Sequence, residues 1–225
     1  MKANHITFNQ DAVAFLQQAA YEDGQLKVLS AEFYRRFAQN DLAAFCHKNG
    51  LYCLPTLELL DQLNSLIMTY SSERNAIEIG AGQGAIGRGL GIISTDSMQQ
   101  ADPQMAALYA LIKQPPVSYG SNVNKVDANT AVSRIKPDVV IGAWVTHKFN
   151  EAEPEREGNM WGIDEQAIVD QVRAYIVVGH DEVHARKPIM DLPHKTIKAD
   201  YLFSRSMNTA GNSIFVWESS SRLLC

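Results

Sequence analysis

The chain predicts an α/β fold: a seven-stranded, mainly parallel sheet closed by an antiparallel terminal hairpin and preceded by a helical N-terminal extension. Three observations carry this. From residue 76 onward, short apolar runs alternate with stretches of helical periodicity, the pattern of buried parallel strands joined by right-handed crossovers. The first run ends in closely spaced glycines, which let the backbone turn sharply and approach a ligand without Cβ obstruction. The last two runs lie only about eight residues apart, too close for a parallel crossover, so they should pair antiparallel.

Taken in order, residues 8 to 70 read as helical. Phe8, Ala12, Phe15, Leu16 and Ala19 form one apolar stripe, and Phe33 with Phe37 a shorter one. Gly50 punctuates the chain, and Pro55 suits the first turn of a helix carrying Leu59, Leu60, Leu63, Leu66 and Ile67. This organisation gives an extension over 1–73 and a main domain over 74–225. Strands follow at 76–80, 91–95, 123–126, 138–144, 174–179, 200–204 and 213–218. Between them, Asp102 and Pro103 start a helix that Pro115 and Pro116 stop. A second helix runs from Ala128 to Lys136 before Pro137, and a third spans Ile163 to Val172 with Asp164 as cap. The charged run 147–159 reads as a loop.

Composition narrows the function classes. With 225 residues, 46% of them hydrophobic, the chain can bury a sizeable core. A net charge of −5 offers no broad electrostatic footprint for nucleic acid. Cys46, Cys53 and Cys225 are odd in number and form no CxxC pair, as expected of reduced thiols in a cytoplasmic protein. The N-terminus MKANHITFNQ lacks the apolar core of a signal peptide, and no apolar run is long enough to span a bilayer.

The segment Asn75 to Gly91, NAIEIGAGQGAIGRGLG, concentrates the functional signal. Gly82, Gly84 and Gly87 satisfy G-x-G-x-x-G, the fingerprint of a dinucleotide site, which expects a ribose-binding acid about 20 residues later. The well-placed acid, Asp96, lies fourteen residues beyond Gly82, which argues against an NAD-dependent oxidoreductase. The turn E-I-G-A-G-x-G, with acids after strands two and three and the terminal hairpin, resembles the class I S-adenosylmethionine-dependent methyltransferase family. That family has a Rossmann-like fold, and the resemblance covers about residues 74 to 218. The chain is also similar to uncharacterised bacterial and phage proteins of that kind carrying Y-x-x-P-T before strand one and W-V-T-H after strand four, here Tyr52 to Thr56 and Trp144 to His147.

The resemblance implies S-adenosylmethionine as cofactor. It assigns Glu78, Gly80, Ala81, Gly82 and Gly84 to the methionine and ribose end and Asp96 to the ribose hydroxyls. Met98, Asp127 and Ala128 fall to the adenine, and the AWVTHKF segment, with Trp144, lies beside the transferable methyl. One departure is visible: Asp96 follows Gly80 by only sixteen residues, so the first crossover helix must be short, and Gly87, Gly89 and Gly91 weaken it further. Asp127 has a second reading as a plain helix cap.

Methyl transfer needs alignment and a dry pocket more than an obligatory acid–base pair, but a nucleophile bearing a proton needs a base. His147, just past strand four, is the candidate; the alternative is a loop histidine bonding the backbone. His180, Asp181, Glu182 and His184 follow strand five, and the two histidines read as substrate-facing polar groups. Their i, i+4 spacing also suits zinc, yet Asp181 stands where a metalloprotease helix needs glutamate and no third ligand is identifiable, so no metal is expected. Tyr52, Trp144 and Trp161 can form an aromatic wall for a planar substrate or for a sulfonium. AWVT replaces the D/N-P-P-Y motif of nucleic-acid amino methyltransferases, which disfavours a nucleic-acid acceptor; a small molecule or a protein side chain remains open, the small molecule being the first expectation. A non-catalytic or regulatory S-adenosylmethionine-binding protein is the alternative. The N-terminal stripes suit a lid or a homodimer contact.

Overall fold

The computed structural model describes residues 7–219. Its N-terminal part consists of α1 (Gln10–Ala20), a hairpin of β1 (Tyr21–Glu22) and β2 (Gln25–Leu26), α2 (Ala31–Arg35), α3 (Gln39–Lys48), β3 (Cys53–Leu54) and α4 (Leu57–Tyr70). The sheet region continues with β4 (Ala76–Ile79), α5 (Ala85–Leu90), β5 (Ile93–Asp96), α6 (Pro103–Leu111), β6 (Val123–Lys125), α7 (Ala128–Ile135) and β7 (Val139–Ala143). It closes with α8 (Glu165–Val169), β8 (Ala174–His180), α9 (Asp181–His184), β9 (Lys195–Ile197), β10 (Phe203–Ser204) and β11 (Asn212–Glu218).

Seven strands form one sheet in the order β6-β5-β4-β7-β8-β11-β9. The pairs from β6 to β8 are parallel, and β11 lies antiparallel between β8 and β9. The strand order reverses at β4, whose neighbours are β5 and β7, so a crevice opens at the carboxyl ends of these three strands. This is the α/β, mainly parallel architecture with an antiparallel terminus that the sequence predicts.

The period-2 alternation of the strands divides the core between two faces. Val139, Ile141, Ile176, Val178, Ile214 and Val216 meet Leu59, Leu63 and Ile67 of α4 on one face. On the other, Ile77, Ile79, Val140, Val177, Phe215 and Trp217 meet Ala131 and Val132 of α7 and Ile168 of α8. A third cluster joins α1, α3 and β3 through Leu16, Leu42, Phe45 and Leu54. Helix caps follow the side chains: Asn9, Ser30, Thr56, Asp102, Asp127 and Asp164 each accept a backbone N–H at a helix start.

Three expectations need correction. The partner of β11 in the terminal hairpin is 195–197; residues 203–204 pair with β3 in a separate two-stranded ladder. Ser204 is buried in that ladder and Leu202 packs into the sheet core beside it, so the run reads as a sheet strand although it ties the N-terminal layer down. Residues 8–70 are not continuously helical, since β1, β2 and β3 interrupt them. Pro55 lies just before the cap Thr56, outside the helix. Helix α6 forms where the sequence predicts it, capped by Asp102, but buries none of its residues. The short first crossover is present as the six-residue α5. Cys46 and Cys53 are free thiols, and Cys225 lies outside the described residues. Among the described residues no helix is long and apolar enough to cross a membrane.

Candidate active site

The turn after β4 is built from three left-handed glycines, Gly80, Gly82 and Gly84, with φ of +58°, +52° and +65°. A Cβ on Gly80 would come within 2.7 Å of Val145 Cγ1, and one on Gly84 within 2.6 Å of Asn122 and Val123, so side chains are excluded by space as well as by φ. The Asp96 carboxylate at the end of β5 fastens this turn: Oδ2 accepts the Gly82 N–H at 3.0 Å and Oδ1 the Met98 N–H at 2.7 Å. The Ala81 N–H donates to the Thr95 carbonyl at 3.1 Å. Glu78 lies beneath, buried, its Oε2 accepting from Gly87 N at 2.9 Å and Ser94 Oγ at 2.8 Å. Burial pushes the Glu78 carboxyl up to about 7 against the pull of these donors, and the nearby Asp96 charge adds to the rise. Burial also raises Asp96.

The crevice above this turn is walled by segments from several elements. Gln99, Gln100, Val117 and Tyr119, from the β5-to-β6 connection, close the side next to Asp96. They are knit together: Val117 N donates to Gln100 Oε1 at 2.9 Å and Gln100 N to the Tyr119 hydroxyl at 3.2 Å. The segment also rests on the glycine turn, where Gly120 N donates to the Gly82 carbonyl at 3.2 Å and Asn122 Nδ2 to the Gly84 carbonyl at 3.0 Å. Gln83 reaches the N-terminal layer through Tyr21 and the Asn49 carbonyl.

The far end of the cleft is aromatic. Trp144 follows β7 in the left-handed region, φ +55°, and its N–H donates to the Val178 carbonyl at 2.8 Å. Its ring centroid lies 6.2 Å from Tyr52, 6.1 Å from His180 and 5.5 Å from His184. Tyr109 of α6 faces Tyr52, and Trp161, 49% exposed, stands at the rim with Thr146 and Asn159. The Arg205 guanidinium stacks 3.8 Å from the Tyr52 ring centroid. Burial, then the neighbouring Glu78 charge, pushes the Cys53 thiol up to about 12; burial, then Asp96, does the same to the Tyr119 phenol.

Of the residues singled out in the sequence, Glu78, Gly80, Ala81, Gly82, Asp96, Trp144, Tyr52 and Trp161 line this cleft, and Gly84 begins α5 beneath it. The others lie elsewhere. His147 is buried outside the lining, its Nε2 3.0 Å from the Arg156 carbonyl, and its backbone bridges to Ile163. It pins the 147–159 loop, the backbone-bonding alternative for this residue. Burial, then Lys187, lowers its basicity. His180 and His184 form a layer behind Trp144: the His180 ring bonds the Asn208 carbonyl and Ser206, while His184 Nδ1 meets the His180 backbone. Burial holds His184 down to about 3, a neutral imidazole. Asp181 pairs with Lys198 and Ser213, and Glu182 with Asn208.

Met98 does not reach the cleft wall, adopting φ +56° as its N–H bonds Asp96. Asp127 is exposed and caps α7 through Thr130 N at 3.0 Å, and Ala128 packs into the core. Tyr119 and Gln100 take the side of the cleft that those residues were expected to line. Neither has a sequence signal, because Tyr119 lies in a breaker-rich run and Gln100 in an ordinary polar one. Among the described residues no group of three or more His, Cys, Asp or Glu is arranged to hold a metal ion.

No protein-family model matches the chain, and no curated protein matches it. Among solved structures, it is similar to a SAM-dependent methyltransferase from Agrobacterium tumefaciens, with 10% identity and a TM-score of 0.32 over 71% of this chain and 60% of that one. The chain thus spans less than two thirds of that structure's length. The fold assignment stands on strand order and direction.

Proposed function

We propose that the protein is an S-adenosylmethionine-dependent methyltransferase acting on a small molecule. The observation that carries this reading is the left-handed glycine turn at the strand-order reversal, fastened through Gly82 N–H to the carboxylate closing the next strand. Ligands of open α/β sheets bind at that place, and bare backbone with two acids suits a nucleoside bearing a cationic amino-acid tail. The donor set fits the cofactor at Glu78, the glycine turn and Asp96, with Gln100, Val117 and Tyr119 forming the base-facing wall in place of Asp127 and Ala128. Bound there, S-adenosylmethionine supplies an electrophilic sulfonium methyl. The chain's own residues then orient and desolvate: the glycine turn admits close approach, and Trp144 and Tyr52 present π-faces that favour positive charge.

The second reading, a non-catalytic or regulatory S-adenosylmethionine-binding protein, is favoured by one observation. Among the described residues, no imidazole or amine lines the cleft, and His147 is bonded elsewhere. Thermal unfolding with S-adenosylmethionine, its demethylated product and NAD separates these classes, because a ligand that binds only the folded state raises apparent stability. The expected result is a shift with the first two and none with NAD. Label transfer from methyl-labelled cofactor then separates enzyme from sensor. Asp96→Asn keeps one acceptor for the loop and is expected to weaken cofactor binding by about 1–3 kcal/mol. Unchanged calorimetric affinity would remove Asp96 from the site.

A further inference from the structure

The charged side chains lining the cleft, among the described residues, are Glu78 and Asp96, both acids at the glycine-turn end. Beyond them the wall is aromatic and amide in character: Tyr52, Tyr109, Trp144 and Trp161, with Asn159 and the Thr146 hydroxyl. Arg205 stacks on the Tyr52 ring but lines a different groove and is not part of the cleft lining. A carboxylate or phosphate entering this end would lose its water and find no cation among the lining side chains to pair with, which is a penalty. A flat, uncharged ring meets π-faces on several sides and loses little.

The aromatic end itself, among the described residues, carries no base. Burial raises the Tyr109 phenol, and the Cys53 thiol is held protonated at neutral pH. Glu78, whose Oε2 serves Gly87 and Ser94, lies at the glycine-turn end and not on the aromatic wall. An acceptor suited to such a site brings its own lone pair and has no proton to lose.

We propose that the aromatic end of the cleft takes a planar, uncharged aromatic compound whose nucleophile is a ring nitrogen, and that it rejects carboxylate- and phosphate-bearing analogues. This rests on the methyltransferase reading for its chemistry, though not for its binding preference. In the reaction, the ring nitrogen lone pair forms the new N–C bond while the C–S bonding pair stays on sulfur. The positive charge passes to the ring, no proton is released, and the cationic product faces the same π-surfaces and the two acids.

The test pairs quinoline-3-carboxamide with quinoline-3-carboxylate, alike in shape and opposite in charge state. Binding to the full chain without cofactor is followed by tryptophan-fluorescence quenching and by ligand-observed NMR. The amide is expected to bind roughly 10- to 100-fold tighter than the carboxylate. Thr146→Lys, at an exposed position on the wall, should narrow or reverse that ratio by supplying the missing countercharge. Equal or tighter binding of the carboxylate to the unmodified chain overturns the proposal, and so does absence of saturable binding by the amide. With methyl-labelled cofactor, label should appear on the ring nitrogen of the amide. Transfer to anionic or phenolic acceptors alone would refute this inference while leaving the methyltransferase reading intact. Failure to bind S-adenosylmethionine would refute that reading while the charge preference still reports on the cleft.

Discussion

Glu78 concentrates the conflict between burial and charge at the level of one residue. It occupies a strand position buried on all sides, yet Gly87 approaches so closely that a Cβ there would lie 2.6 Å from Glu78 Oε2 and 2.0 Å from Ser94 Oγ. The glycine at 87 therefore belongs to the acid's hydrogen bond, an assignment that the G-x-G-x-x-G spacing alone does not reveal. Because burial lifts the carboxyl from 4.5 to about 7, the folded chain holds its proton more tightly than the unfolded chain does. Stability contributed by this group is then full below the unfolded value and declines as pH rises through the window between the two values. The decline is on the order of 3 kcal/mol. Glu78→Gln, which keeps an acceptor for Gly87 and Ser94, should flatten urea midpoints across that window. An unchanged slope in the variant would assign the pH dependence to another group.

Among the elements, two helices rich in apolar residues behave oppositely. Helix α4 buries Leu59, Leu60, Leu63 and Ile67 against the sheet. Helix α6 buries nothing and leaves Leu111 80% exposed, although its run of methionine, leucine and alanine reads as equally core-forming. Leu63→Ala should cost about 2–5 kcal/mol, whereas Leu108→Ala should change stability by less than about 0.5 kcal/mol. Chemical denaturation of both variants checks the contrast, and comparable losses would mean that α6 is packed in solution. The difference explains where the sequence is legible. The periodicity of α4 and the β-branched runs of β7 and β8 are set by burial on a large sheet, so pattern reports them. The short strands β3 and β10 and the rim helix are set by loop closure and local ties such as Ser204 to Asn212, which leave no periodic trace.

Across the molecule, what unites the cleft is a set of connections leaving the sheet at one edge, and a buried ion pair holds two of them together. Glu165 opens α8 after the long connection that carries Trp144, Thr146 and Trp161; Lys187 follows α9 after the next strand. Lys187 Nζ lies 2.8 Å and 2.9 Å from the two Glu165 oxygens, the side chains are 4% and 2% exposed, and the Tyr175 hydroxyl donates to Oε1 at 2.8 Å. The glycine turn and Asp96 are legible in sequence because the left-handed turn and the carboxylate that fastens it demand those residue types. Residues 165 and 187 are ordinary charges twenty-two positions apart, and only the fold makes them partners. Burial lowers Lys187 towards its neutral form and the carboxylate opposes this, so neither charge is tolerable alone. Lys187→Met should therefore destabilise by about 3–5 kcal/mol, since it strands Glu165 in the core. Adding Glu165→Gln, which still accepts from Tyr175, should recover about 2 kcal/mol or more of that loss. Urea unfolding at constant slope measures both. If the double variant is less stable than Lys187→Met, the pair is not coupled and the two connections are held by packing alone. If the recovery appears, the connections leaving two adjacent strands are tied together by charges that do not line the cleft.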